Sequence, residues 1–101
     1  MEKFTADVIK IIESIPSGNV MTYGQIAKCA GNPRGARQVS RILHSMSKKH
    51  NLPWHRVINA EGKITIRDEE MAQVQKMSLE AEGIVFPNGY QIDLDKYQHR
   101  I

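Results

Sequence analysis

The sequence predicts a mainly α domain with a short β-hairpin, arranged as a winged-helix-like helix-turn-helix. Three observations carry that expectation. Apolar residues recur at helical spacing in three places: Val8, Ile9, Ile12 and Ile15; Val39, Ile42, Leu43 and Met46; Met71, Val74, Met77 and Ala81. Two of the predicted helices are separated only by Gly31-Asn32-Pro33, the short glycine-containing turn of a helix-turn-helix. Two short extended runs, Val57-Ile58 and Lys63-Ile64-Thr65-Ile66, flank the turn-forming Asn59-Ala60-Glu61-Gly62.

The first helix opens at Phe4-Thr5, with Thr5 able to cap it, and ends at Pro16-Ser17-Gly18-Asn19. Val20-Met21 is a short extended step. Thr22-Tyr23-Gly24-Gln25 is a capping box: the Thr22 hydroxyl accepts from the Gln25 N–H, and the Gln25 side chain reaches back. Met21 and Ile26 sit where a hydrophobic staple would. That helix runs to about Ala30, and Gly31 supplies its left-handed stop. Asn32-Pro33 starts the third helix, which runs to about Ser47. His50-Asn51-Leu52-Pro53 is a loop. Asp68 caps the last predicted helix, Glu69 and Glu70 suit its positive end, and Gly83 stops it. Residues 87–101 are polar and weakly patterned, and read as a loose tail.

A chain of 101 residues indicates a single domain over 1–101. One cysteine, Cys29, rules out an internal disulfide and a cysteine-rich metal site, and suits a reducing, cytoplasmic compartment. His44, His50, His55 and His99 match no compact ligand set, so no metal or cofactor is expected. No apolar run approaches a membrane span, and Met1-Glu2-Lys3-Phe4 lacks a signal-peptide core. The net charge is only +3, but it is segregated. Residues 28–67 hold nine Lys or Arg against one acid, Glu61, for a net +8, while the flanks carry −5. A patch of this kind marks a face that meets a polyanion, although a solubilising basic surface would give the same count.

Leu52-Pro53-Trp54-His55-Arg56-Val57 is the stretch richest in chemistry. It resembles the Pro-Cys-His-Arg-Val active-site signature of the O6-alkylguanine-DNA alkyltransferases, with tryptophan at the nucleophile position. Val20-Met21-Thr22-Tyr23-Gly24-Gln25-Ile26-Ala27 and Gly31-Asn32-Pro33-Arg34-Gly35-Ala36-Arg37-Gln38-Val39 precede it in family order. The resemblance covers residues 4 to about 86, the family's C-terminal DNA-binding domain. An indole N–H is only a donor and cannot take up an alkyl group as a thiolate does. The pattern is similar to the alkyltransferase-like group, whose members bind O6-alkylguanine in DNA without repairing it.

The resemblance implies roles residue by residue. Tyr23 matches a tyrosine that sits against the target nucleotide's phosphate and assists its rotation out of the duplex; chemistry or inspection at O6 requires that rotation. Arg37 matches an arginine finger in the minor groove that fills the gap left by the base. Gly35 and Ala36 are small, which lets the helix approach the groove. Arg34, Arg41 and Lys28 would contact phosphates. Trp54, His55, Arg56, Val57 and Arg67 match the lesion pocket: Trp54 stacks on the base, His55 meets Glu82 behind it, Arg56 orders nearby loops, Val57 lines the pocket, and Arg67 replaces a tyrosine at its mouth. The implied partners are duplex DNA containing O6-alkylguanine and nucleotide excision repair proteins, with the chain acting as a monomer and without a membrane.

Met46 departs from the family, which carries a hinge asparagine there. Two other readings stand beside the non-enzymatic sensor. Cys29 could accept the alkyl group, although only Lys28 neighbours it and no His-plus-acid pair activates it. The helix pair could serve a sequence-specific regulator, although no dimerisation element is evident and the reading helix is rich in Gly, Ala and Arg.

Overall fold

In the computed structural model, which describes residues 1–101, the chain forms five helices and one two-stranded sheet. Helix α1 spans Lys3–Glu13, strand β1 Met21–Thr22, α2 Tyr23–Cys29 and α3 Ala36–Met46. A single 3-10 turn, Trp54–Arg56, leads into β2, Val57–Ile58; α4 spans Glu69–Ala81 and α5 Leu94–Tyr97. No helix is long and apolar enough to cross a membrane.

The sheet is a seam between two cores. Strands β1 and β2 pair in parallel, Met21 with Val57 and Thr22 with Ile58. Side chains alternate across a strand. Met21 and Val57 therefore join the first core with Val8, Ile12, Ile26, Val39 and Leu43 from α1, α2 and α3. Val20 and Ile58 join the second, with Ile64, Ala72, Leu79, Ile84, Ile92 and Tyr97.

Local signals near α2 act as expected. The Thr22 hydroxyl accepts from the Gln25 N–H at 3.1 Å, and the Gln25 side-chain oxygen Oε1 accepts from the Thr22 N–H at 3.2 Å. Gly31, at φ +95°, ends α2: its N–H donates to Lys28 O and the Asn32 N–H to Ala27 O, the paired bonds of a left-handed helix stop.

Five expectations change. Helix α1 starts at Lys3 with Glu2 in the cap position, not Thr5, because Phe4 packs against the first core. Helix α3 starts at Ala36: the Asn32 side chain accepts from the Arg34 N–H, and its carbonyl from the Gly35 N–H, so Asn32–Gly35 is spent as a turn. The hairpin between 57–58 and 63–66 does not form. Lys63 bridges Gln91 instead, the Ile64 N–H donates to Tyr90 O, and the Ile92 N–H donates to Gly62 O. A Cβ on Gly62, at φ +74°, would lie 2.9 Å from Ile92 O, so only glycine permits this pairing.

The fourth change concerns α4. The stripe of Met71, Val74 and Met77 faces solvent, at 40%, 42% and 64% exposure. Ala72, Gln75 and Leu79 face inward, because Gln75 is needed there: its side-chain N–H group donates to His55 O at 3.1 Å and Val57 O at 3.0 Å. The fifth is the tail. Residues 87–101 are not loose; Ile92 and Tyr97 are buried, and Gln98 bridges Val20.

Helix α4 closes on the 3-10 turn a second time through Glu82, just past its last turn. Glu82 accepts from Arg56 Nη2 at 2.8 Å and Nε at 3.1 Å, from His55 Nε2 at 2.7 Å and from the Gly18 N–H at 2.9 Å. Arg56 Nη1 donates to Ile15 O at 2.9 Å. Burial by itself would raise the Glu82 carboxyl; the bonds from Arg56, Gly18 and His55 outweigh it and hold the pKa at about 2, from an ordinary 4.5. A carboxyl depressed by folding stabilises the protein above its unfolded value. That contribution is lost as pH falls from 4.5 towards about 2. Denaturant titrations at pH 7 and pH 3 should show Glu82→Gln destabilising the protein by about 2–3 kcal/mol at pH 7 and less at pH 3. An equal loss at both would mean that the clamp is not ionic.

Candidate nucleic-acid interface

Helices α2 and α3 and the turn between them carry four exposed basic residues. Lys28 lies at the end of α2, Arg34 in the turn, and Arg37 and Arg41 four residues apart on α3; all four are exposed. None pairs with a carboxylate, since the ion pairs of the molecule involve only Lys3, His55 and Arg56. Their charges, and the N–H groups at the start of α3, remain free for an anion. Ala36, the first residue of α3, is half-buried. Gly35 is small for an internal reason: a Cβ there would stand 3.0 Å from the Phe4 ring and 3.1 Å from Asn32. Arg56 counts towards the basic block but is neutralised internally by Glu82, so the outward charge is smaller than the sequence suggests.

Beside this surface lies a cleft of about 440 Å³, inside the ~300–1,000 Å³ range of ligand pockets. Tyr23 comes from α2; Ser40, Leu43 and His44 from one side of α3, with Ser47 just past its end; Trp54 from the 3-10 turn; Ile66 and Asp68 from the approach to α4, and Met71 from its first turn. Tyr23 is packed against the first core, and burial pushes its phenol pKa up, which keeps the hydroxyl a neutral donor. Asp68 is both wall and cap: its carboxylate accepts from the Glu70 and Met71 N–H groups. A second cleft, of about 460 Å³, runs from Glu2 and Asp7 to Asn32 and Gln38. It is more open, has only two apolar residues in its lining, and includes neither Tyr23 nor Trp54, so it is the weaker site for a base.

The residues expected in the pocket divide. Trp54 lines the cleft, half-buried, with its ring edge-on to His55 at 6.4 Å. His55, Arg56 and Val57 do not line it. The first two turn away to Glu82 and Ile15 O, and Val57 is in the first core. Arg67 is exposed and falls in the chain between the lining residues Ile66 and Asp68, but does not itself line the cleft. Sequence reasoning missed Ser40, His44 and Ser47, although their spacing on α3 follows Arg37 around one face. Ile66, Asp68 and Met71 carry no comparable signal, because they reach the cleft by tertiary folding. Cys29, the sole cysteine, is exposed on α2 and outside the lining.

Comparison with known proteins agrees with this geometry. The family described as 6-O-methylguanine DNA methyltransferase, DNA binding domain, matches residues 3–84. A DNA base-flipping protein of Escherichia coli is 42% identical over 97 residues, covering 96% of this chain and 74% of that protein. Alkyltransferase-like protein 1 of Schizosaccharomyces pombe is 40% identical over 99 residues, covering 97% and 89%. The crystal structure of S. pombe Atl1 in complex with damaged DNA containing O6-carboxymethylguanine superposes with a TM-score of 0.89, at 37% identity, over 100% of this chain and 98% of that one. Fold, motif order and these likenesses agree: the chain belongs to the 6-O-methylguanine DNA methyltransferase DNA-binding-domain family, among its alkyltransferase-like members.

Proposed function

We propose that this protein is a non-enzymatic sensor of O6-alkylguanine. It binds duplex DNA through the exposed face of α3 from the minor groove, turns the lesion out of the stack, and holds it in the cleft beside Trp54. The observation that carries this reading is Trp54 itself. It stands at the nucleophile position of the motif and forms a wall of a base-sized cleft, yet has no group able to accept an alkyl cation equivalent. Relatives named for base flipping, and the Atl1 complex with damaged DNA, support the same reading. Arg37 supplies the finger, Tyr23 steadies the rotated nucleotide, and Arg34, Arg41 and Lys28 hold phosphates. Binding without chemistry leaves the lesion in place, so function requires a second activity; the proposal assigns it to nucleotide excision repair.

Titration against matched duplexes with and without one O6-methylguanine, at two salt concentrations, tests the reading. Affinity should be higher for the modified duplex and should fall with salt for both, since each neutralised phosphate releases counterions. A label on the methyl group should stay with the DNA. Equal affinities would favour a regulator, and label transferred to the protein but not to Cys29→Ser would make it an enzyme.

Three arginines should separate by readout. Arg34→Ala should weaken both complexes together and reduce the salt slope by up to about one. Arg67→Ala should lower mainly the ratio of lesion to normal affinity, by about three- to tenfold if it stacks on the extruded base. Arg37→Ala should cost on the order of 1–3 kcal/mol and diminish the fluorescence of 2-aminopurine placed beside the lesion. A uniform loss in Arg67→Ala would put that residue on the backbone.

A further inference from the structure

The family match ends at residue 84, and the segment beyond it carries no pattern that predicts a role. In the structure this segment returns to the first turn of α2, where Tyr23 sits. The Val20 N–H donates to Tyr97 O at 2.9 Å, and the His99 N–H donates to Val20 O at 2.7 Å, so 97–99 runs parallel to the residues that enter β1. Asn19 adds a side-chain bond to Tyr97 O at 3.1 Å. Tyr97 is buried, and its hydroxyl accepts from the Val85 N–H at 3.0 Å, which anchors the segment at its near end.

Gln25 is where the segment meets α2. The Gln25 side-chain oxygen accepts from the Thr22 N–H at 3.2 Å, the return bond of the capping box, and from Gln98 Nε2 at 2.8 Å. Its side-chain nitrogen donates to His99 O. One amide thus joins the helix cap to two groups of the C-terminal segment. Tyr23 lies between the two capping-box residues, as the first residue of the helix. A helix of seven residues is marginal unless its ends and one face are held. Its far end is held by the Gly31 stop; its near end is held by the Thr22 hydroxyl on the Gln25 N–H and by the Gln25 side chain on the Thr22 N–H.

We propose that the C-terminal segment Gln98–His99 is a positioning element for base extrusion: it locks Gln25, and through the cap it sets the first turn of α2 that carries Tyr23. The inference rests on the role assigned above to Tyr23. It makes Gln25, Gln98 and the His99 carbonyl positioning groups, with no contact to the base required of them.

Two single substitutions in the full chain separate this from general stabilisation. Gln98→Ala removes one bond to Gln25 and leaves the main-chain bridge at Val20. Gln25→Glu keeps an acceptor for Thr22 and for Gln98 but loses the donor to His99 O. In the free protein, amide exchange should quicken at Gln25 and Ile26 in both variants while α1 and α4 keep their protection. On an O6-methylguanine duplex with a neighbouring 2-aminopurine, the stopped-flow extrusion rate should fall about fivefold, as expected for one neutral hydrogen bond. Affinity for the unmodified duplex should stay within about twofold in Gln98→Ala; in Gln25→Glu the ratio of the two affinities cancels the added charge.

Unchanged extrusion in both variants overturns the proposal. So does a parallel loss of thermal stability and of both affinities, which would make the segment a general brace. Wild-type protein that gives no lesion-dependent 2-aminopurine signal overturns the sensor reading instead. In that case the exchange measurement still decides the local claim, because unaltered protection at Gln25 and Ile26 would show that the segment does not order this turn.

Discussion

The Glu82 carboxylate is the contact on which the arrangement of the site depends. It draws Arg56, His55 and the Gly18 N–H to the end of α4, and Gln75, two turns earlier on the same helix, holds the carbonyls of His55 and Val57. Together they fix the 3-10 turn from behind, with both side chains after Trp54 directed inward. Trp54 is left to face the cleft. A part-buried carboxylate that serves so many donors is costly to remove from them. The clamp therefore holds as a unit, and together with the packing of Trp54 against the first core it sets the orientation of the indole.

The same clamp divides the basic block into two kinds of charge. Arg56 is spent inside the protein. Lys28, Arg34, Arg37 and Arg41 remain outside, unpaired, on a surface contiguous with the cleft through the α3 residues Ser40 and His44. Exposed arginines and a wall of the cleft are thus adjacent on one helix, and the proposed function gives the first to the duplex and the second to the base. The two parallel strands hold this half to α4. Because Val20 and Met21 point to opposite cores, neither core can shift without the other.

Much of the local structure was legible in the sequence. The capping box at Thr22 and Gln25 and the glycine stops at Gly31 and Gly83 rest on backbone rules that act within a few residues. The pairing of His55 with Glu82 was legible only through the family resemblance. What was not legible depended on distant partners. The α4 stripe was assigned inward because methionine and valine are apolar, whereas the helix is turned by one glutamine that satisfies two carbonyls on another element. The strand expected beside β2 instead meets residues 90–92, which have no periodicity of their own. Residues 87–101 look polar in isolation, yet the buried Ile92 and Tyr97 anchor them to the second core once α4 and Val20 are in place. A third of the cleft was hidden for the same reason: Ile66, Asp68 and Met71 join Trp54 in its lining only through the tertiary fold.

Trp54 is the only tryptophan of the chain, so its fluorescence reports on the cleft alone. The direct measurement is emission from the native protein titrated with two duplexes that differ by a single O6-methyl group. An extruded guanine stacked on the indole should quench it, and at saturation the modified duplex should do so while the unmodified duplex leaves emission near that of the free protein. Equal quenching by both duplexes, or none by the modified one at saturation, would contradict the claim that this cleft receives the lesion.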